Sequence, residues 1–416
     1  MPSRPLHALV LPPGPQLLEA VAAAIDGGPA VLPLDPAASP AVRTRQLDQF
    51  RPHALVDGDG VHPLAGAADL DPDVAVVIGT SGSTGTPKGA QLSAAALLHS
   101  ADATLARLDA TPMQRWLCCL PTHNIAGIQV LVRSLVAGST PEIAPFTLAA
   151  LGASSADFVS VVPTMLYRAL EAGVDLTRFQ TILVGGDAMP LSLHKRATVA
   201  GARVVTTYGM SETGGGAVYD GVPLDGVRVA VDPDERIRLA GPVLASGYRL
   251  DPGLTATAFV DGWHVTQDAG QLGHDGRLHV LGRLDDIVIS GGVNVSMVVV
   301  AAALTAHPSV AQAAAYARPD AEWGHRIVAV VVPRREPPTL DVLRSFVSAA
   351  AGAAAAPREL VLVEELPTLP GGKLDRNAIG RLLGGATNTP PDSRRPTSPP
   401  PRGDSPGPRP GSTSDS

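Results

Sequence analysis

The sequence predicts an α/β protein with a large N-terminal domain of parallel sheets and helices, and a small α+β C-terminal domain. Short β-branched runs alternate with helical stretches up to about residue 225, a pattern typical of parallel sheets with crossover helices. Helical periodicity then vanishes between residues 226 and 280, where turns such as Asp232-Pro233 and Asp261-Gly262 separate short strands. This second stretch predicts a β-rich subdomain.

The domain boundaries follow from these changes in pattern. We place the N-terminal domain at residues 1–282, its β-rich subdomain at 226–282, the C-terminal domain at 283–385 and a tail at 386–416. From residue 387 onward the tail has no aliphatic or aromatic residue apart from proline, so we expect it to be disordered. It is either a docking segment or a dispensable extension.

Composition excludes several classes of protein. The 416 residues are 45% apolar and 17% charged, which suits a globular chain, and the net charge of −7 argues against general binding to nucleic acid. The neighbouring Cys118 and Cys119 lie in an apolar stretch and suit buried thiols in a reducing compartment. No apolar run approaches the length of a membrane span. We therefore expect a soluble, cytoplasmic protein.

Individual elements can be predicted from residue spacing and type. In the N-terminal domain we predict helices at 17–25, 94–108 and 129–136. Strands in the same domain are predicted at 30–34, 54–57, 74–78, 116–120, 158–162, 181–184 and 204–207. In the C-terminal domain we predict helices at 298–306 and 340–350, and extended segments at 311–318, 327–332 and 359–363.

The predicted strand at 74–78 runs into GTSGSTGTPKG, residues 79–89, which is rich in glycine and hydroxyl side chains. Glycines let a backbone approach a phosphate closely, and successive N–H groups form an anion-binding nest. The side-chain donors are Thr80, Ser81, Ser83, Thr84, Thr86 and Lys88. The spacing fits neither the P-loop of NTPases nor the dinucleotide-binding fingerprint. We predict a phosphate-binding loop of another kind, with a flexible linker as the alternative.

Two further loops follow predicted strands: GGDAMP at 185–190 and YGMSETG at 208–214. Ligands of open parallel sheets bind beyond the carboxyl ends of the strands, so we expect these loops and the phosphate loop to converge on one crevice. His123 follows the strand predicted at 116–120. It is either a site residue or a hydrogen-bonded structural histidine.

Lysine is rare in this chain: of 32 basic residues, only Lys88, Lys195 and Lys373 are lysines. Where arginine is so strongly favoured, a retained lysine indicates a place where a planar guanidinium does not substitute for a compact ammonium. Lys88 and Lys373 lie in glycine-rich motifs, whereas Lys195 resembles a solvated charge on a helix. The Gly-Gly-Lys segment by itself also suits a plain turn.

Six ordered motifs resemble the acyl-adenylate-forming superfamily, which includes acyl- and aryl-CoA ligases, luciferases and the adenylation domains of peptide synthetases. They are TSGSTGTPKGA, VGGDAMP, YGMSETG, the TQD segment, GRLDDIVISGG and LPGGKLDRNAI, and they span about residues 70–384. The resemblance implies that the small C-terminal domain is mobile and that the reaction has two steps. A carboxylate attacks the α-phosphate of Mg-ATP to give acyl-AMP, and a thiol then displaces AMP.

The resemblance also implies roles for single residues. Lys373 would be the catalytic lysine between carboxylate and α-phosphate, Thr213 would touch the adenylate phosphate, and His123 is the nearest imidazole. Glu212, together with Thr84, would hold Mg²⁺, since a hard cation prefers oxygen ligands. The implied ATP- and AMP-binding set is Thr80, Ser81, Gly82, Ser83, Thr84, Lys88, Gly185, Gly186, Asp187, Tyr208, Gly209, Met210, Ser211, Asp268 and Arg283.

The resemblance assigns the second step to the C-terminal domain. Asp285 would be the hinge residue, and Ser290, Gly291 and Gly292 would contact the pantetheine arm of coenzyme A. Trp323, in a D-x-x-W-G match, favours coenzyme A over a carrier protein as the thiol partner, although ordinary packing is the alternative.

Within the superfamily, the chain resembles the o-succinylbenzoate–CoA ligases of the menaquinone pathway, because it is short before the phosphate loop and its IVISGGVN hinge lacks the usual lysine. The resemblance implies a small carboxylic acid substrate, o-succinylbenzoate above all. Arg133 would pair with a second carboxylate of that substrate, or alternatively lie on a helix surface. Another aryl- or medium-chain acyl-CoA ligase, or a module that loads a carrier protein, remains an alternative.

Three positions depart from the superfamily pattern. Asn124 stands where histidine is common, Gln267 replaces the glycine of TGD, and Met297–Ala301 carries no carboxylate in place of the acidic segment after the hinge. These departures bear on the second step more than on adenylation.

Overall fold

The computed structural model describes residues 3–81, 87–368 and 374–384. The predictions for Gly82, Ser83, Thr84 and Lys373, and for the tail, lie outside these residues. The side chain of Ser81 is also outside the description. Everything below concerns the described part of the chain.

The helices include every helix that the sequence predicted. They are α1 (Pro15–Ile25), α2 (Pro40–Phe50), α3 (Ala94–Arg107), α4 (Ile125–Val136), α5 (Leu148–Ala153), α6 (Pro163–Glu171), α7 (Leu191–Val199), α8 (Pro252–Ala258), α9 (Met297–Thr305), α10 (Leu340–Ala351) and α11 (Arg376–Leu382).

The strands of the first half are β1 (Leu6–Leu9), β2 (Ala30–Pro33), β3 (Ala54–Asp57), β4 (Gly60–Pro63), β5 (Val74–Ser81), β6 (Pro87–Ser93), β7 (Trp116–Cys118), β8 (Glu142–Ile143), β9 (Phe158–Val161), β10 (Thr181–Val184), β11 (Val204–Met210) and β12 (Gly215–Tyr219). Those of the second half are β13 (Val222–Pro223), β14 (Arg228–Val231), β15 (Arg236–Ala240), β16 (Gly247–Tyr248), β17 (Phe259–Val260), β18 (Trp263–Leu272), β19 (Leu278–Arg283), β20 (Ile287–Ser290), β21 (Val293–Ser296), β22 (Val310–Asp320), β23 (Gly324–Pro333) and β24 (Glu359–Leu362).

Two seven-stranded sheets form the large N-terminal part. Their strand orders are β16-β6-β5-β2-β1-β3-β4 and β13-β12-β11-β10-β9-β7-β8. Strands β7, β9, β10 and β11 run parallel to one another, and all side chains of β9 and β10 are buried, as expected for strands covered on both faces. Helices α3 and α4 contribute to one core cluster with residues of both sheets, so apolar helices separate the two sheets.

The remaining strands form two smaller sheets. In the β-rich subdomain, β15 pairs with β14 and β18, and β18 also pairs with β17 and β19. In the C-terminal part, β22 and β23 form a long antiparallel pair flanked by β20, β21 and β24. A core of its own fills this part, with Val300, Leu304, Ile327 and Val347 fully buried. The predicted α/β class, with a β-rich subdomain and a small α+β C-terminal part, is confirmed.

Strand β6, which the sequence did not predict, follows the phosphate segment and pairs antiparallel with β5. Two sequence predictions need correction. Tyr208, Gly209 and Met210 lie in strand β11 and not in a loop. The β-rich region also contains helix α8, and its Gly247–Tyr248 segment joins the first seven-stranded sheet. Strand pairing decides the local structure of β6, of the end of β11 and of the Gly247–Tyr248 segment.

Cys118 and Cys119 are free, buried thiols, as predicted. Burial raises the pKa of both to about 12, so neither is a reactive thiolate. Among the described residues, no helix is long and apolar enough to cross a membrane.

Candidate active site

A cavity of about 2600 Å³ opens between the two large sheets, the β-rich subdomain and the C-terminal part. Residues from the ends of β5, β10 and β11 line it together, including Thr80, Gly185 and Glu212. The predicted convergence of three segments is therefore observed. They come from two different sheets, however, and not from one.

The two arms of the β5–β6 hairpin place the phosphate segment at the cavity. Thr80 lies opposite Lys88 in the antiparallel register, and both residues line the cavity. The ammonium of Lys88 lies 5.8 Å from the centre of the Tyr248 ring, within the range of a cation–π contact. This wall of the cavity thus offers a positive charge beside a hydroxyl, which suits an anionic ligand.

The segment after β10 forms another edge of the cavity. Gly185, Gly186 and Asp187 all line it, and the last two are exposed. Tyr208, Gly209 and Met210 line it from β11, with Ser211 directly after. The two segments lie side by side because β10 and β11 pair in parallel register.

Glu212 lies in a short 3₁₀ turn after β11 and faces the cavity. Its Oε1 accepts a 2.7 Å hydrogen bond from the phenol of Tyr248. Thr213, in the same turn, has a different place from the one expected. Its side chain is fully buried outside the cavity lining, and its hydroxyl accepts from the Met210 N–H and donates to the Gly215 carbonyl. The hydroxyl is used to close the turn, so we correct its assignment as a catalytic residue.

Glu212 fits the magnesium role that the resemblance implied. Mg²⁺ is commonly held by one or two carboxylates together with the phosphates of a substrate. Glu212 provides one carboxylate at the same cavity as Lys88 and Thr80. Over residues 3–81, 87–368 and 374–384, no group of three or more His, Cys, Asp or Glu side chains forms a cage for a metal ion. A single-carboxylate site shared with substrate phosphates is therefore the arrangement that fits.

Asp268 lies on β18 with its carboxylate at the cavity. Oδ2 accepts a 2.8 Å hydrogen bond from the Tyr208 phenol, and Oδ1 lies 3.7 Å from Nη1 of Arg283. Burial raises the pKa of Asp268 above its ordinary value, while the Tyr208 hydrogen bond and Arg283 oppose that effect. Arg283 also contacts Asp285 at 3.1 Å. The structure thus joins Asp268 and Arg283, two residues of the predicted nucleotide site, to the hinge candidate Asp285.

His123 lines the cavity beside Asp35, and Asp35 lies in the loop after β2. Its Nδ1 lies 4.0 Å from Oδ1 of Asp35. Burial lowers the pKa of His123, and the Asp35 carboxylate acts in the opposite direction. The sequence did not single out Asp35, because it lies about ninety positions before its partner. The geometry keeps His123 as a site candidate.

Arg133 is buried beside the cavity and not on a helix surface, so the surface alternative is wrong. Only 5% of it is exposed, yet it lines the cavity with Ser160. Its guanidinium stacks over Trp116 at 4.1 Å and donates to the Gln129 carbonyl and to Ser160 Oγ. It makes no salt bridge with a carboxylate of the described residues. A buried cation without a carboxylate partner is costly, and it suits an anionic ligand.

The coenzyme A candidates lie on the β20–β21 hairpin, outside the cavity lining. Gly291 and Gly292 form its turn, with φ of 57° and 80°. The Ser290 side chain is fully buried. Trp323 packs against Gly291, and the Arg358 guanidinium stacks over its ring at 3.5 Å. Ile287, Val288 and Ile289 of β20 line the cavity, whereas Ser290 and the Gly291-Gly292 turn do not.

The segments on either side of the undescribed residues 369–373 do face the cavity. Leu366 and Thr368 line it before that gap, and Leu374 and Arg376 line it afterwards. Arg376 forms an ion pair with the buried Asp286, next to Asp285. The neighbours of Lys373 therefore lie at the cavity, while Lys373 itself is outside the described residues.

Sequence reasoning missed Tyr248 and His264, both of which line the cavity. His264 stacks on Phe259 at 4.8 Å and hydrogen bonds to the Ala258 carbonyl. Tyr248 stands outside the six motifs, and strand pairing brings it to the site. His264 stands two positions before the TQD segment at residues 266–268, so this motif was a local signal for it.

Comparisons with known proteins agree with this geometry. The family model of the AMP-binding enzymes matches residues 59–250, and that of the AMP-binding enzyme C-terminal domain matches residues 300–373. A probable 2-succinylbenzoate–CoA ligase of Mycobacterium tuberculosis H37Rv is 43% identical over 336 residues, which cover 76% of this chain and 86% of the relative. The 2-succinylbenzoate–CoA ligase of Listeria innocua is 30% identical and covers 73% and 69%.

Solved structures show the same similarity. The o-succinylbenzoate CoA synthetase MenE of Bacillus subtilis, solved with the acyl-adenylate OSB-AMP, is 26% identical, has a TM-score of 0.78 and covers 90% of this chain and 88% of its own. The amide bond synthetase McbA of Marinactinospora thermotolerans is 25% identical, has a TM-score of 0.82 and covers 92% and 90%.

Proposed function

The chain belongs to the AMP-binding enzyme family, and we propose that it is an ATP-dependent ligase that joins 2-succinylbenzoate (o-succinylbenzoate) to coenzyme A. The buried Arg133 guanidinium in the cavity lining carries the choice of acid. 2-Succinylbenzoate has two carboxylates, so one can react while the other pairs with Arg133. The names of the relatives from Mycobacterium tuberculosis and Listeria innocua support the same acid.

The first step forms acyl-AMP. A carboxylate oxygen of the acid attacks the α-phosphorus of ATP, a new P–O bond forms, and the bond to the leaving pyrophosphate breaks. Both reactants are anionic, so their charges must be balanced. Mg²⁺ on Glu212 and the triphosphate would supply part of that balance. Lys88 and Thr80 supply donors from the chain, and Lys373 is our proposed bridge between carboxylate and α-phosphate.

Other cavity residues orient the nucleotide. The Asp268 carboxylate is placed to accept from ribose hydroxyls, and the Tyr208 phenol and Arg283 hold that carboxylate. Gly185, Gly186 and Asp187 border the place proposed for adenine, with Met210 and Ser211 beside them. His123, held near Asp35, stays a proposed catalytic residue.

The second step transfers the acyl group to coenzyme A. The thiolate sulfur attacks the acyl carbonyl carbon, a thioester bond forms, and AMP leaves with the bonding electrons. We propose that the C-terminal domain, residues 283–385, turns about Asp285 between the steps and brings the Gly291-Gly292 hairpin to the cavity. We also propose that the enzyme works in the cytoplasm, where ATP and coenzyme A are both present.

Product mass spectrometry tests this proposal. The protein is incubated with Mg-ATP and a panel of acids, with and without coenzyme A: 2-succinylbenzoate, benzoates and fatty acids of several lengths. We expect selective formation of 2-succinylbenzoyl-CoA, which would place the enzyme in menaquinone synthesis. Turnover of a different acid would contradict the substrate, and acyl-AMP that persists with coenzyme A present would favour a carrier-loading module.

A further inference from the structure

The phenol of Tyr248 connects two functional parts of the cavity. Its hydroxyl donates a 2.7 Å hydrogen bond to Oε1 of Glu212, and the Lys88 ammonium lies 5.8 Å from its ring centre. A phenol carries its proton at neutral pH, so Tyr248 acts as the donor in this hydrogen bond. A neutral side chain thus lies between a carboxylate and a cation that would both serve the triphosphate.

The backbone holds Tyr248 firmly in place. Tyr248 pairs with Ala90 across β16 and β6, on the strand that carries Lys88. Its N–H donates to Thr255 Oγ1 at 2.9 Å. The next residue, Arg249, is 2% exposed, and its guanidinium donates to four main-chain carbonyls, those of Phe50, Arg51, Ala68 and Asp69. Tyr248 is therefore anchored to the first sheet.

Glu212 is less constrained by its own backbone. It occupies the middle of a three-residue 3₁₀ turn between β11 and β12, on the second sheet. The Ala245 N–H donates to the Glu212 carbonyl at 2.8 Å, which fixes the main chain. The carboxylate lies at the end of a flexible side chain, and the Tyr248 hydrogen bond fixes one of its two oxygens. The other oxygen is left for a metal ion.

We propose that Tyr248 is a positioning residue for Glu212: its phenol orients the carboxylate that receives the metal of Mg-ATP. It also sets the spacing between this carboxylate and Lys88, because one ring contacts both. The inference rests on the proposed adenylation reaction. Partners that orient a metal ligand typically change metal affinity by about 10- to 100-fold when removed.

The test uses Tyr248→Phe, which removes the hydroxyl and keeps the ring beside Lys88 and Phe259. Binding of Mn²⁺ in the presence of α,β-methylene-ATP is measured by electron paramagnetic resonance on the full chain, without any acid, so no turnover is needed. We expect the Mn²⁺ dissociation constant to rise about 10-fold. The control is Tyr316→Phe, which removes a phenol from the C-terminal part of the cavity lining, near Gly380 of α11. It should leave the Mn²⁺ dissociation constant unchanged.

A double-mutant comparison separates positioning from general packing. In a Glu212→Gln background the carboxylate is already lost, so Tyr248→Phe should add no further loss of Mn²⁺ affinity. Equal losses in both backgrounds, or an unchanged affinity in Tyr248→Phe, would overturn the inference while leaving the proposed function intact. Failure of the wild-type chain to bind the nucleotide and Mn²⁺ would overturn both. Thermal unfolding of each variant checks that the fold is retained.

Discussion

Phe50 lies beneath both arms of the β5–β6 hairpin, and this position explains two glycines of the phosphate segment. A Cβ at Gly89 would lie 2.9 Å from Phe50 Cε1, and one at Gly79 would lie 3.3 Å from Phe50 Cε2. Phe50 is fully buried, so it has little freedom to move away. Packing against Phe50 therefore requires both motif glycines, in addition to the phosphate contact that we propose for this segment.

The change Gly89→Ala should destabilise the protein. Forcing a methyl group against a buried ring costs about 1–3 kcal/mol, so the urea midpoint should fall. The matched control is Gly58→Ala, where the structure shows open space and no positive φ. That change should leave the midpoint unchanged or raise it slightly, because alanine restricts the unfolded chain. Equal midpoints for the two variants would contradict the role of Phe50.

Arg133 is the residue that we expect to select the acid. Removing one partner of a buried charge pair costs about 2–5 kcal/mol, so Arg133→Met should lower kcat/KM for 2-succinylbenzoate by roughly 30-fold or more. The comparison substrate is 3-benzoylpropionate, which keeps the reacting chain and lacks the ring carboxylate. Its kcat/KM should change far less. A parallel loss with both substrates would mean that Arg133 acts only through its packing on Trp116.

At the level of single residues, the sequence could identify those site residues that lie inside a motif. Lys88, Glu212 and Asp268 were all expected at one site, and the structure brings them to one cavity. Tyr248 and Asp35 could not be predicted, because long-range pairing places them and nothing beside them in the chain marks a site. Thr213 shows the opposite error: it lies within a motif, yet its hydroxyl closes the turn.

At the level of elements, the predictions succeeded for strands that are both apolar in composition and buried in the structure. Strands β9 and β10 are short, apolar and fully buried, and their runs were found from the sequence. Strand β6, PKGAQLS, contains no β-branched residue, so only its pairing with β5 reveals it. The sequence predicted a loop at residues 208–210 because of Gly209. In the structure, β11 continues through these residues and pairs with β12.

The β20–β21 hairpin gives a prediction that compares two neighbouring glycines. Both have positive φ, so alanine is strained at either position. A Cβ at Gly291 would also lie 2.9 Å from the Trp323 ring, whereas open space surrounds Gly292. Gly291→Ala should therefore lower the melting temperature more than Gly292→Ala.

The same two variants test the proposed contact with coenzyme A. Thioester formation from supplied acyl-AMP should be slowed in both, while pyrophosphate release in the first step should stay near the wild-type rate. Loss of the first step alone would place the hairpin in adenylation and not in thiol transfer.

At the level of the whole molecule, the arrangement of the two parts relates to the order of the steps. The C-terminal part presents Thr368, Leu374 and Arg376 to the cavity, whereas the Gly291-Gly292 turn lies outside the lining. Arg334, just after β23, lies 3.8 Å from Glu171 of α6, which ties the two parts together in this arrangement. Such a relation between distant parts was not predictable from local sequence patterns. We propose that this arrangement serves the first step.

Lys373 should therefore serve only the first step. The chain on both sides of residues 369–373 lines the cavity, and Lys373 is our proposed bridge between the reacting carboxylate and the α-phosphate. Lys373→Ala should lower the rate of pyrophosphate release by 100-fold or more, by the loss of about 3 kcal/mol of charge stabilisation. Thioester formation from supplied acyl-AMP should stay near the wild-type rate, because we propose that the domain turns between the two steps. The matched control is Lys195→Ala on helix α7, which should affect neither step. Equal loss of both steps in Lys373→Ala would show that the lysine supports the fold or the second step, and a single-step role would be wrong.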